Sequence, residues 1–255
     1  MTEDHREEKK IGTFNVNLAD PECAGMTELP SASKERAQVA KILRQMAEVN
    51  LKDISITRSD IDELYEPPEA NSLSPSNPLF THLSNGLAYT IGSALGCLPP
   101  STNGCLEAYQ IPNNAGLTSG SRAWSKHSHR SFASPKGETD STTEDGVDQQ
   151  KKTSRDKVDS EGWWGRPSGP VSIINDKSLT IFWRVMNNAT WRNLHWLPHE
   201  VLVYEVRVKE GYGMRWAQDR SGDVLNRPWI FRGFLEPQMA GGHEVGWRHL
   251  VVLPS

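Results

Sequence analysis

The sequence is poor in cysteine, has no long apolar run, and contains no tryptophan among its first 123 residues. The three cysteines are an odd number, and Cys97 and Cys105 lack the C-x-x-C spacing of a metal or redox motif. The chain begins with charged residues rather than the apolar stretch of a secretory signal. No run approaches the roughly 18 apolar residues that a membrane span needs. These absences predict an intracellular protein, cytoplasmic or nuclear, without a membrane-spanning segment.

Apolar residues make up only 36% of the 255 residues, and the formal net charge is −4. Two stretches are especially poor in apolar residues and cannot bury enough surface to offset the entropy cost of ordering the chain. We therefore expect a disordered tail over residues 1–30 and a single domain over residues 31–255, interrupted by a disordered insertion at about 133–160. A net negative charge gives no global attraction to nucleic acid or anionic membranes, so such contacts need a local basic patch.

Helical periodicity is clearest after Ser33, where Val39, Leu43 and Met46 recur on one side. A second helix is predicted from Phe80 to Leu95, weakened by two glycines, and residues 99–120 are predicted as loop. Another helix is expected to begin at Asn175 or Asp176 and to continue through Met186.

From Glu200 the apolar period changes to two, which is typical of strands. Strands are predicted near residues 201–208, 214–216, 229–235 and 247–253, separated by glycine-containing turns. Short connections favour antiparallel neighbours. The predicted fold class is α+β, with a three- or four-stranded antiparallel meander in the C-terminal half packed against helices.

Residues 191–249 hold four of the eight histidines and five of the nine tryptophans, and arginine far outnumbers lysine from residue 161 onward. Arginine suits bidentate binding of phosphate or carboxylate, and histidine moves protons near neutral pH. This pattern predicts a pocket for a small anionic ligand that bears phosphate or carboxylate, such as a nucleotide. Histidines 199 and 249 are the candidate catalytic residues, with Glu236 or Glu244 orienting one of them. The candidate ligand-binding residues are His127, His129, Arg130, Trp164, His195, Arg215, Arg232, Glu236, His243 and Arg248.

Three other interpretations stay open. The arginines could be consumed by surface ion pairs with neighbouring carboxylates. The aromatic and arginine positions could bind a partner protein without catalysis. A metal could be held by histidines from several loops, although neither His199-Glu200 nor His243-Glu244 continues as H-E-x-x-H. No residue is assigned to a metal, no cofactor is identified, and nucleic acid remains an open partner.

Overall fold

The computed structural model describes residues 18–52, 73–131, 162–222 and 227–238, with only the main chain given for residues 48–52, 130 and 131. These ranges contain five α-helices and a four-stranded antiparallel sheet, which confirms the predicted α+β class. The helices are α1 (Ala32–Lys52), α2 (Pro78–Ser84), α3 (Thr102–Gln110), α4 (Ser119–His127), followed by a 3-10 turn (Ser128–Ser131), and α5 (Val171–Asn187). The strands are β1 (Trp191–Leu197), β2 (Val201–Arg207), β3 (Gly213–Asp219) and β4 (Ile230–Leu235).

The sheet is a meander in which each strand pairs with the next along the chain, in the order β1-β2-β3-β4. Three of its strands lie where the period-two pattern predicts them. The fourth is β1, from a segment that was predicted as a site motif rather than as a strand. The period-two pattern is not visible in the sequence of β1, because both faces of the strand carry a mixture of large apolar and polar side chains. The strand predicted over 247–253 lies outside the described residues.

The prediction of a helix over residues 33–49 is confirmed by α1, but the predicted helix over 80–95 is wrong beyond Ser84. Gly86 and Gly92 have positive φ angles of 68° and 84°, which end helical geometry. Beyond α2 the chain runs alongside β1, where the amides of Ala88 and Ala94 each donate to a β1 carbonyl at 2.7 Å. Hydrogen bonding to β1 therefore determines the extended conformation of this segment.

Residues 99–120 were predicted as loop, and this is wrong for α3 and for the start of α4. Both helices are initiated by hydroxyl N-caps, since Ser101 accepts from the Gly104 amide and Thr118 from the Ser121 amide. The helix predicted from Asn175 begins earlier, at Val171, following Pro170. Asn175 instead uses its side-chain oxygen to accept from the Thr118 amide at 3.2 Å, which ties α5 to the start of α4.

The hydrophobic core lies between one face of the sheet, here called the inner face, and helices α3 to α5. Tyr109 of α3 packs its ring 4.8 Å from that of Phe231, and Trp216 of β3 donates to the Cys105 carbonyl at 3.0 Å. Trp124 of α4 and Phe182 of α5 lie in the same cluster. These helices cover the inner face, and the side chains that alternate with the core residues along each strand point to the opposite, outer face.

The N-terminal segment is attached to the sheet from residue 22 onward, within the stretch predicted as a tail. The Glu22 amide donates to the Thr190 carbonyl at 3.1 Å, and the Ala24 amide donates to the Lys209 carbonyl at 2.9 Å. Buried Arg36 of α1 pairs with Glu28, whose carboxylate also accepts from the Tyr89 amide. Residues 1–17 and the predicted insertion at 133–160 lie outside the described residues, so the predicted domain limits stay a prediction.

His82 of α2 is fully buried and makes the stability of the fold sensitive to acid. Its Nε2 lies 2.9 Å from the Ala88 carbonyl oxygen, and burial lowers the pKa of the imidazole. An unfolded histidine takes up a proton near pH 6.5, whereas the folded one resists it until lower pH. We therefore expect the contribution of His82 to the free energy of unfolding to be fully present above about pH 6.5. That contribution should be lost as the pH falls towards the lower pKa of His82 in the folded state. Urea unfolding at a series of pH values measures this.

The matched variant is His82→Gln, which keeps an N–H donor for the Ala88 carbonyl but cannot be protonated. Its unfolding free energy is expected to decline less than that of the wild type between neutral and mildly acidic pH. Equal slopes for the two proteins would contradict the assignment to His82.

Candidate active site

The outer face of the sheet carries a row of polar side chains across three strands. Alternation along each strand places these residues on the face opposite the core. The cluster, here called the outer-face cluster, consists of Asn193 and His195 of β1, Glu205 and Arg207 of β2, and Arg215 of β3.

The strand register decides which of these residues are neighbours. Asn193 pairs with Glu205, and Glu205 in turn pairs with Arg215. Residues directly opposite one another in an antiparallel pair have Cβ atoms about 4.5–5.5 Å apart, and diagonal neighbours on one face about 7–8 Å. Glu205 is thus directly between Asn193 and Arg215, and His195 is its diagonal neighbour. Residues distant in sequence are therefore neighbours on this face of the sheet.

Glu205 is held in place by Arg207, two residues further along the same strand. Glu205 is 9% exposed and Arg207 is 6% exposed, and the Arg207 Nε donates to the Glu205 carboxylate. Arg207 also donates from Nη1 to the carbonyls of Gly211 and Glu236, at 2.6 and 2.8 Å. The guanidinium therefore joins the β2–β3 turn to the end of β4 and fixes the orientation of the carboxylate.

His195 is the histidine of this cluster. Burial lowers its pKa, the Glu205 carboxylate acts in the opposite direction, and the positive charges of Arg215 and Arg207 lower it further. Its Nδ1 is buried and has no hydrogen-bond partner in the described part of the chain. The imidazole is therefore neutral at neutral pH and can accept a proton, while the nearby carboxylate stabilises the imidazolium that results.

Arg215 is exposed, and beside it the sheet contains a β-bulge. Arg215 pairs with Gly233 while Trp216 pairs with Phe231, so that Arg232 is the extra, exposed residue of β4. Gly233 has a φ of 129°, and no atom of the described residues lies within 4 Å of where a Cβ would be. Bulges commonly redirect side chains beside active sites. An exposed guanidinium such as that of Arg215 is suited to binding a phosphate.

The other predicted site residues are placed as follows. His199 lies on the exposed β1–β2 turn with a φ of 64°. Glu236 follows β4, and Trp164 is buried in the core, where its carbonyl accepts from Trp124. His127 and His129 lie at the end of α4 and in the 3-10 turn, in the helical layer over the inner face.

Four of the predicted site residues lie wholly or partly outside the described part of the chain. The side chain of Arg130 is not among those described, and His243, Arg248 and His249 lie beyond the described residues. Within the ranges that the structure describes, no group of three histidine, cysteine or acidic side chains is arranged to hold a metal ion. No helix in the same ranges is long and apolar enough to cross a membrane.

Glu205 and Arg207 were not among the predicted site residues, although they lie beside two that were. The available signal was a pair of charges two residues apart in an otherwise apolar strand. Such a spacing places both charges on one face. This spacing does not distinguish a functional pair from ordinary surface ion pairing, because a sequence alone does not reveal that the pair is buried.

The outer-face cluster combines a half-buried histidine, a buried carboxylate and arginines, which are groups that enzymes use in chemistry at a phosphate. Residues 134–236 match the family model for the CdiA C-terminal tRNase toxin domain. The match covers about two fifths of the chain, including α5 and all four strands. No curated protein and no solved structure matches the chain.

The family match corrects the functional prediction made from sequence. A pocket for a small anionic ligand was expected, with a protein-interaction module and a histidine metal site as alternatives. All three are replaced, because the matched family is described by nuclease action. The error had a physical origin: arginine and histidine density indicates a phosphate or carboxylate, but not the size of the molecule that carries it.

Proposed function

We propose that this chain is a ribonuclease that cleaves transfer RNA, with the outer-face cluster as its catalytic centre. One observation carries the proposal. The segment that is similar to the CdiA C-terminal tRNase toxin domain contains His195, Glu205, Arg207 and Arg215, and these side chains share one face of the sheet. The chemical inventory of the cluster thus agrees with the activity named for the family.

His195 is the proposed general base. Its lowered pKa leaves the imidazole neutral at the pH of the cell, so it can take the proton of a ribose 2′-hydroxyl. Glu205 lies diagonally across the strand pair and stabilises the charge that this transfer creates. Because Arg207 orients the carboxylate, little rearrangement is needed during the reaction.

Arg215 is the proposed phosphate-binding residue. As the 2′-oxygen attacks phosphorus, negative charge builds up on the non-bridging oxygens, and an exposed guanidinium beside them lowers the barrier. The bond from phosphorus to the 5′-oxygen breaks, and that oxygen takes up the proton lost by the 2′-hydroxyl, through the imidazolium. The products are a 2′,3′-cyclic phosphate and a 5′-hydroxyl, so that atoms and charge balance without a further reactant.

The net negative charge of the chain is compatible with a transfer RNA substrate. A chain with a net charge of −4 binds a polyanion only through a local basic patch. Arg215 and Arg232, which are both exposed, provide positive charge on β3 and β4, whereas the charge of Arg207 is balanced by Glu205. Transfer RNA functions in translation, so we propose the cytoplasm as the site of action.

The test is incubation of the purified chain with a transfer RNA preparation, with the products analysed by gel and mass spectrometry. We expect discrete fragments that end in a 2′,3′-cyclic phosphate. A transfer RNA with a 2′-O-methyl group at the cleaved nucleotide is expected to resist cleavage there, since His195 then has no proton to remove.

DNA of the same sequence is the matched control and is expected to remain intact, because it lacks the 2′-hydroxyl. Cleavage of DNA at a similar rate, or RNA products without the cyclic phosphate, would contradict the proposed chemistry. Intact transfer RNA after prolonged incubation with folded protein would contradict the proposed function.

A further inference from the structure

A groove lies at the tip of the β1–β2 hairpin, one residue beyond His195 on β1. It is lined by Trp196, Leu197, Glu200 and Arg220, and its volume is about 520 Å³. That volume lies within the range of about 300–1,000 Å³ typical of ligand sites. Trp196 and Leu197 point to opposite faces of the strand, so the groove extends around the end of the sheet rather than along one face.

The apolar side chains that line the groove are exposed to solvent. Trp196 is 43% exposed and Leu197 is 44% exposed, whereas the neighbouring Leu194 is fully buried in the core. An indole ring accessible to solvent offers a flat surface on which a nucleobase can stack, an interaction that every base can make. Exposed tryptophan next to a catalytic strand is therefore consistent with contact to an unpaired nucleotide.

The charged side of the groove is pre-organised. Arg220 donates from Nε to the Gln218 side-chain oxygen at 2.6 Å, and buried Gln218 is itself bonded to the Arg227 carbonyl. The Arg220 amide donates to the Glu200 carbonyl at 2.9 Å. Despite this proximity, no ion pair joins the Glu200 carboxylate to Arg220 in the described part of the chain. Both charged groups are thus available to a ligand.

The turn that presents Glu200 is in an uncommon conformation. His199 and Glu200 have successive positive φ angles of 64° and 57°, a region that non-glycine residues seldom adopt. Positive φ angles at two successive residues are typical of tight β-hairpin turns, because they match the twist of the flanking strands. The hairpin turn therefore sets the position at which Glu200 borders the groove.

We infer that this groove binds an unpaired guanine of the RNA substrate, an inference that rests on the proposed ribonuclease function. The base stacks on Trp196, and the Glu200 carboxylate accepts from the two adjacent N–H groups on the Watson–Crick edge of guanine. Adenine, cytosine and uracil lack that pair of donors, so the carboxylate selects guanine. Arg220 contacts the phosphate of the same nucleotide. The groove thus determines base preference, while the outer-face cluster performs the chemistry.

The experiment separates binding from cleavage. Fluorescence anisotropy measures the affinity of the full chain for short oligodeoxynucleotides in which one guanine, adenine or cytosine is flanked by thymines. These probes lack the 2′-hydroxyl and are not consumed. We expect the guanine probe to bind about tenfold more tightly than the adenine probe, as expected for a bidentate contact.

Three substitutions test the assignments. Trp196→Ala is expected to weaken binding of every probe by about tenfold, while Trp196→Phe retains most of the affinity because it can still stack. Glu200→Gln is expected to remove the preference for guanine over adenine. Trp183→Ala is the matched control, since Trp183 is 36% exposed on α5 and is not part of the groove, and it should bind as the wild type does.

The outcomes distinguish this inference from the proposed function. Equal affinity for guanine and adenine, or wild-type affinity in Trp196→Ala, overturns the guanine site, even if the same protein cleaves transfer RNA. If the preference for guanine holds and depends on Trp196 and Glu200 while transfer RNA stays intact, the groove is supported and the ribonuclease proposal fails.

Discussion

Replacing His195 with glutamine is expected to lower the rate constant for transfer RNA cleavage by about 10²–10⁴-fold, the usual contribution of a general acid–base residue. Glutamine has a similar size and remains polar, but it cannot accept the proton of the 2′-hydroxyl. His195 is half-buried on the outer face and lies outside the hydrophobic core, so the variant should fold. Single-turnover cleavage with saturating enzyme isolates the chemical step from binding.

The pH profile provides a second readout for the same variant. A general base must be unprotonated, and burial lowers the pKa of His195, so the wild-type rate should rise with pH, with a midpoint below the usual histidine value of about 6.5. The rising limb should be missing in His195→Gln. An unchanged rate or an unchanged acidic limb in this variant would contradict the assignment.

Replacing His199 with glutamine tests which of the two neighbouring histidines is the general base. His199 was a candidate catalytic residue in the sequence, and the structure places it on an exposed turn at the end of the hairpin. Since His195 is the histidine beside Glu205, we expect His199→Gln to retain most of the activity. A loss of activity as large as that of His195→Gln would show instead that His199 is the general base.

Replacing Arg207 with methionine is expected to destabilise the fold by about 3–5 kcal/mol, the usual cost of removing one partner from a buried ion pair. Methionine fills much of the same volume but carries no charge and no donor. Glu205 would remain buried without its cation, and the carbonyls of Gly211 and Glu236 would lose their donor. Urea unfolding followed by circular dichroism measures the difference in unfolding free energy.

Two further variants make this prediction specific. The double variant Glu205→Gln with Arg207→Met should be less destabilised than Arg207→Met alone, because no uncompensated charge then remains in the sheet. Arg227→Met is the matched control, since its pair with Asp219 is 30% and 46% exposed and should contribute less than about 1 kcal/mol. Similar losses for Arg207→Met and Arg227→Met would show that burial of the pair has no energetic consequence.

Of the five residues of the outer-face cluster, His195 and Arg215 were also chosen from the sequence, because histidine and arginine are chemically distinctive wherever they occur. Glu205 and Arg207 were not chosen, because burial is not visible in a strand pattern. Trp196 was not chosen, since most tryptophans are expected to lie in the core. The exposure of a side chain depends on neighbours that are remote in the chain, so composition could not assign these residues.

Local periodicity alone determined α1, strands β2, β3 and β4, and the antiparallel meander, because these depend on alternation and short turns within one stretch of chain. Only the tertiary structure decided that residues 88–95 run along β1, since hydrogen bonds to β1 outweigh their apolar spacing. It also decided which strand residues meet. The strand register sets Glu205 against Arg215 and beside His195, and a shift of one residue would turn the side chains of a strand to the opposite face.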